Sequence, residues 1–378
     1  MAGASPAFAT YRYFGTYRLV LATMVMFQHY AANAAPIQVT RFFLPLEIGS
    51  LAVLAFFCLS GFVIIEAADT VYRGRSVAFM VNRLLRVFPH FLVALSLSIG
   101  LHWVAIANGT LHLERTSDAI PPMTVFAPLN IVANYLSIIP PFELLASYNF
   151  ISIAWAVRIE MAFYVVVALC LFVTSKTKVS FVTAALLMVL VLAPLFAMAV
   201  LGKGPLTFGF LPYFVFGGAL YYAVKGKRSA ILVLVASIAT MAWHFLAQPW
   251  QHPAFGYLRD VPSQFVILFG MIAVLVLLAM VRGRRYQRED SRAGSITYPL
   301  YMYHLVILIP VTSLFADYTY PTFIAGMIGS VVFSALMARI LDPMVDSLRD
   351  RIRGQRLAVS IPDHTSVRAP APDLTGKS

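Results

Sequence analysis

Apolar residues fall in long runs along this chain, and polar residues gather in short stretches between them. Ten runs can be drawn, at 15–34, 46–66, 87–107, 151–173, 179–201, 207–224, 229–248, 262–281, 296–315 and 321–341. A bilayer core takes roughly 20 residues of helix to cross. The pattern therefore predicts an all-α polytopic membrane protein with about ten transmembrane helices. The membrane domain is expected over residues 1–342 and a cytoplasmic tail over 343–378, disordered toward its Pro-, Asp-, Thr- and Ser-rich end. The one long connection runs from Asn108 to Phe150 and holds Pro121-Pro122, Pro140-Pro141 and the half-apolar stretch FAPLNIVANYLSII. That stretch is short and carries two Asn, so a re-entrant or interfacial element is expected rather than a span. No internal repeat and no second soluble domain are evident. No cleavable signal is recognised, so the first run is expected to stay as a span.

Composition agrees. Of 378 residues, 60% are hydrophobic and 12% charged, and the mean hydropathy is +0.80; soluble chains carry about 25% charged residues. The net charge of +12 would suit nucleic acid, but its distribution argues against that partner. With a cytoplasmic N-terminus, all but five of the 28 Lys and Arg (Arg41, Arg115, Arg158, Lys203 and Arg259) fall in cytoplasmic loops and ends. This positive-inside bias, with an even number of spans, predicts both termini in the cytoplasm and some attraction to anionic membrane lipid. Cys58 and Cys170 lie within apolar runs and read as packed thiols, not a disulfide or metal pair.

Ionisable groups inside a bilayer are costly and so mark function. In YRLVLATMVMFQHYAA, Arg18 and His29 are eleven positions apart. That is three helical turns plus about 20°, so both point the same way about 16 Å apart along the axis. Arg18 also lies near enough to a membrane edge to snorkel. In RLLRVFPH, Arg83 and Arg86 share a helix face at the cytoplasmic entrance of the third span. They serve either as an anchor or as a pair of guanidiniums for phosphate. Glu160 falls about 13 Å into the fourth span, at a depth like that of His29. Arg158 projects to another face. Tyr298, Tyr301 and His304 form a stripe on the ninth span, with His304 about 12 Å in from the cytoplasmic side. His244 and His252, near Trp243 and Trp250, read as interfacial, and His102 and His112 sit at or beyond the outer end of the third span. His90 follows Arg86 and Pro89. No His pair has metal-ligand spacing with a third donor, so no metal is expected.

Arginines at the cytoplasmic side and deep His and Glu groups fit a donor with a phosphorylated head and a long thin arm, the shape of acyl-coenzyme A. Arg83, Arg86 and Arg18 would hold its phosphates while the arm, on the order of 15–20 Å, carries the thioester toward His29. His29 would then act as general base on an acceptor hydroxyl, or would itself be acylated; the sequence leaves both open. Glu160 is expected to orient His29 if the helices bring the two together.

Five motifs resemble the acyltransferase-3 family of integral-membrane acyltransferases, over about 15–341. They are Arg18 with His29; FFCLSGFVI at Phe56 to Ile64; Arg83, Arg86 and Pro89; Trp155, Glu160 and Tyr164; and Tyr298, Tyr301 and His304. The resemblance implies transfer of an acetyl or other short acyl group from cytoplasmic acyl-CoA, most simply acetyl-CoA, to a hydroxyl. The acceptor would be a surface or exported carbohydrate or lipid-linked glycan, such as an exopolysaccharide, O-antigen or oligosaccharide, at a bacterial inner membrane. It assigns His29, Glu160 and His304 to catalysis and Arg18, Arg83 and Arg86 to the donor. Ala156 and Thr297 stand where the family commonly has Ser, and both are expected to touch acceptor contacts. Two rival readings are a proton-coupled transporter of a small solute and a scaffold whose polar residues join helices.

Overall fold

The computed structural model describes residues 11–111, 121–140, 142–203, 205–247, 260–283, 285–315 and 318–353, the side chains at 143 and 206 excepted. Among them there is no strand. The helices are α1 (Phe14–Asn33), α2 (Ile37–Phe43), α3 (Ile48–Thr70), α4 (Ser76–Ala107), α5 (Pro128–Leu136) and α6 (Ala154–Lys176). They continue with α7 (Phe181–Val200), α8 (Leu211–Val224), α9 (Ser229–Ala247), α10 (Val261–Met280), α11 (Gln287–Leu314) and α12 (Tyr320–Arg353). Among the described residues, nine segments are long and apolar enough to cross a membrane, α2 and α3 counting as one. The tenth expected span, α1, folds as a 20-residue helix but is not among the nine. The reason lies in its polar side chains, Arg18, Gln28, His29 and Asn33.

The most extensive packing joins α3 to α8, α1 to α11, α11 to α12 and α8 to α9. The spanning parts of α3, α8 and α11 are mostly buried, whereas less than a third of those of α7, α9 and α12 is buried. An inner group of helices is thus wrapped by an outer group whose apolar side chains face outward, as lipid requires. Glycine sets the closest approach. A Cβ at Gly61 would lie 2.2 Å from the Phe214 carbonyl oxygen, and one at Gly217 would lie 1.9 Å from that of Cys58. Gly61 of FFCLSGFVI therefore lets the backbones of α3 and α8 touch, and any side chain there would push them apart.

The start of α1 is capped from another helix. Tyr13, at its N-cap, provides no side-chain bond. Instead the Asp290 carboxylate of α11 accepts from Gly15 N at 2.8 Å, Thr16 N at 2.7 Å, Thr16 Oγ1 at 2.7 Å and Tyr11 Oη at 2.8 Å. Arg12 then ion-pairs with Glu66 near the end of α3. These bonds fix the register of α1 against α11, and hence the height of every side chain on α1. Asp290→Ala is expected to cost about 1–2 kcal/mol, the range for a lost helix cap. Thermal unfolding in detergent should show a Tm lower by a few degrees; an unchanged Tm would mean that the cap contributes nothing.

The stretch at 126–139 forms the short helix α5, not a span. Its two Asn explain why. Asn130 Oδ1 accepts from Ser147 N at 2.8 Å, Asn134 Oδ1 accepts from Phe150 N at 3.1 Å, and both amides donate to the Tyr148 carbonyl. Both cysteines are buried free thiols, as expected. His244 departs from expectation: it is buried, not interfacial, with Nδ1 3.3 Å from Tyr213 Oη and its ring edge-on to Phe210. His112 and His252 lie outside the described residues. The helix α12 continues past 342 to Arg353.

Candidate active site

The eleven-residue spacing on α1 delivers Arg18 and His29 to two different cavities. The smaller, of about 80 Å³, is lined by Arg18 of α1, Arg83 and Arg86 of α4, Ser60 of α3, Glu160 of α6, and Tyr298 and Tyr301 of α11. Arg83 is only 6% exposed, and its Nε has no hydrogen-bond partner among the described residues. Its guanidinium instead lies 5.3 Å from the Phe79 ring centre and 5.5 Å from that of Tyr164. Glu160 Oε1 accepts from Tyr164 Oη at 2.6 Å and from Ser60 Oγ at 3.2 Å. Three guanidiniums thus share a confined space with one carboxylate. A buried donor without a partner is costly, and an anion with several oxygens, such as phosphate, is what such a cluster binds best.

The larger cavity, of about 510 Å³, has His29, Gln28 and Asn33 of α1 on one side. Glu47, Ser50 and Val53 line it too, Glu47 in contact with Gln28, with His102, Tyr148, Asn149, Ser152, Trp155 and Tyr301 completing much of the wall. His29 Nδ1 lies 2.9 Å from the Val25 carbonyl, and His304 Nδ1 lies 3.0 Å from that of Leu300. A carbonyl only accepts, so each ring carries its proton on Nδ1 and, when neutral, has a basic Nε2. The second contact follows from this. His304 Nε2 sits 3.3 Å from His29 Nδ1 and accepts a share of that N–H. His304 is fully buried and so holds one orientation. The pair therefore fixes the His29 tautomer, leaves Nε2 as its basic atom, and supports the imidazolium once Nε2 takes a proton.

The two cavities share walls. Val53 and Tyr301 line both, and Tyr301 is fixed there by donating from Oη to the Ile153 carbonyl at 3.2 Å. The α11 stripe is thus a set of ties. Tyr298 Oη bonds the Val87 carbonyl of α4 at 3.0 Å, Tyr301 bonds the start of α6, and His304 meets α1.

The sequence-predicted residues therefore divide into Arg18, Arg83, Arg86 and Glu160 at one cavity and His29 with His304 at the other. The expected partnership of Glu160 with His29 is not formed; Glu160 bonds Ser60 and Tyr164 beside the arginines, and His304 is the group in contact with His29. Both serine replacements, Ala156 and Thr297, line the arginine cavity. Arg158 donates to the Ser137 carbonyl at 3.3 Å. His90 enters neither wall: its Nε2 is 2.9 Å from Asp342 Oδ1 and its Nδ1 3.2 Å from Tyr303 Oη, which joins α4 to α12 and α11. Sequence reasoning missed Glu47, which occupies a left-handed backbone conformation at φ 51° and ψ 33°. For a residue with a Cβ that costs on the order of 1 kcal/mol. The sign of φ leaves no periodic signature, and the only cue was a carboxylate at the very start of an apolar run.

An apolar helical bundle enclosing a cationic cavity beside a histidine pair defines a multi-pass membrane protein with a buried polar centre suited to group transfer. Residues 12–339 match the family model described as an acyltransferase domain, and the chain belongs to this acyltransferase-3 family. It is accordingly a membrane acyltransferase. No curated protein and no solved structure matches the chain.

Proposed function

We propose that the protein moves a short acyl group, acetyl in the simplest case, from acyl-coenzyme A to a hydroxyl of a carbohydrate. The acceptor in this reading is a surface or exported glycan, free or lipid-linked, and the enzyme resides in a bacterial inner membrane with both termini in the cytoplasm. The observation that carries the reading is the sharing of Val53 and Tyr301 by the arginine cavity and the His29 cavity. In this reading a donor held by its phosphates at one end reaches the base past these two residues.

The orphaned Nε of buried Arg83 fits the phosphates of the donor, together with Arg86 and Arg18. Glu160, bonded to Tyr164 and Ser60, offsets part of the positive charge. The small cavity admits a narrow arm, so the nucleotide end of the donor stays at its mouth. In the larger cavity His29 Nε2 takes the proton of the acceptor hydroxyl as its oxygen attacks the thioester carbonyl. His304 Nε2 meanwhile receives the Nδ1–H of the imidazolium. When the C–S bond breaks, the proton on His29 passes to the departing sulfur, and the ester and free thiol leave the base restored. The tautomer set by Val25 and His304 supports general-base action. The same Nε2 would be the nucleophile in an acyl-histidine route.

The Lys and Arg distribution supports the orientation, and in that orientation the arginine cavity lies toward the cytoplasm, where acyl-CoA is made. Purified protein in lipid nanodiscs, given acetyl-CoA and a carbohydrate acceptor, should release free CoA in equal amount with an esterified sugar. Release of CoA that does not depend on any acceptor, with no ester formed, would count against transfer to a hydroxyl.

A further inference from the structure

Glu47 is the one non-glycine residue at positive φ among the described residues, and it stands on the wall of the larger cavity. Its carboxylate is held by one oxygen only. Oε2 accepts from Gln28 Nε2 at 2.7 Å and from Ser50 Oγ at 2.8 Å. Gln28 Oε1 accepts from Gly49 N at 2.6 Å, which fixes the amide so that its NH₂ must face Glu47. Gln28 directly precedes His29, so the carboxylate and the base are referred to the same turn of α1. Oε1 has no hydrogen-bond donor among the described residues. The residue is only half-buried, so core packing does not account for its strained backbone.

The two cavities also differ in charge. Three arginines face the smaller, whereas among the described residues no Lys or Arg lines the larger, and Glu47 is its one carboxylate. A carboxylate in a partly desolvated wall repels a second anion strongly and accepts hydrogen bonds from hydroxyls.

We propose that Glu47 is an acceptor-binding residue that sets specificity. Its Oε1 accepts a hydrogen bond from a hydroxyl neighbouring the one that His29 deprotonates, and its charge limits the reacting group to an uncharged polyhydroxylated ring. Neutral sugars are then acylated, and rings bearing a carboxylate or phosphate are refused. The inference rests on the carbohydrate reading given above.

The test uses full-length wild type, Glu47→Gln and Glu47→Gly in nanodiscs with acetyl-CoA as donor. Methyl glucoside and methyl glucuronide are supplied at equal concentration, and ester formation is followed by mass spectrometry beside CoA release. Wild type should favour the neutral glycoside at least about tenfold in kcat/KM. Glu47→Gln should raise KM for methyl glucoside about tenfold, the scale of a lost charged hydrogen bond, leave KM for acetyl-CoA unchanged, and shrink the preference. Glycine suits a positive φ, so Glu47→Gly should give the same result with the backbone intact. Equal wild-type efficiency on the two glycosides overturns the proposal without needing any variant, and so does a preference that both variants retain in full. Release of CoA with no ester on either glycoside removes the carbohydrate reading itself, and this proposal with it.

Discussion

Replacing His29 by Ala is expected to reduce acyl transfer by about 10³-fold, the middle of the range for general acid–base catalysis. Both the general-base and the acyl-histidine route need Nε2, so neither survives the change. The fold should tolerate it. The bond from Nδ1 to Val25 is local to α1, and the contact with His304 at 3.3 Å is a long hydrogen bond. Leaving one buried imidazole nitrogen unpaired costs about 1–3 kcal/mol, which lowers stability without unfolding the bundle. Membrane abundance and size-exclusion profile should therefore stay near wild type while acetyl transfer, measured by sugar ester formation, disappears. Loss of abundance with the remaining protein fully active would assign His29 to helix packing.

Arg83→Ala has the second-largest expected effect, and it falls on the donor. Arg83 is buried, its Nε has no hydrogen-bond partner among the described residues, and it faces the same cavity as Arg18 and Arg86. Removing a charge-assisted bond to phosphate should raise KM for acetyl-CoA about 10- to 100-fold, with a smaller change in kcat at saturating donor. Lys should rescue poorly, because an ammonium is a point charge without the planar fork and does not spread over the Phe79 and Tyr164 rings as a guanidinium does. An unchanged KM for acetyl-CoA in Arg83→Ala would make this residue a membrane anchor, the other reading that its position allows. The pair of variants also separates the two cavities. His29→Ala should act on turnover and Arg83→Ala on donor affinity.

The spans were legible because bilayer crossing demands about twenty apolar residues in a row, and nine such segments are present among the described residues. The α1 face was legible too, since helix geometry alone fixes how residues eleven apart project. Interhelical contacts were another matter. Counting along the spans put Glu160 and His29 at similar depth, yet a depth counted one helix at a time does not determine which helices touch. The bundle sets Glu160 beside Tyr164 and Ser60 and brings His304 to His29 instead. His244 was misread for a related reason: a Trp neighbour marks a membrane edge on average, while burial against Phe210 and Tyr213 depends on the packing of α8 and α9. Asp290 was invisible because it caps a helix about 275 residues away in sequence. The Asn residues of α5 show the converse, where polar side chains that excluded a span were bonded to the loop at 147–150.

The central claim is continuity between the arginines and His29 past Val53 and Tyr301. It is tested most directly by an experimental structure in nanodiscs with a non-hydrolysable acetyl-CoA analogue. The account predicts phosphate density against Arg83 and Arg86, the arm between Val53 and Tyr301, and the acyl carbon within about 4 Å of His29 Nε2, a near-attack distance. An analogue bound with its acyl end away from His29, or a closed wall at Val53 and Tyr301 with His29 reached only from the opposite side, would contradict it.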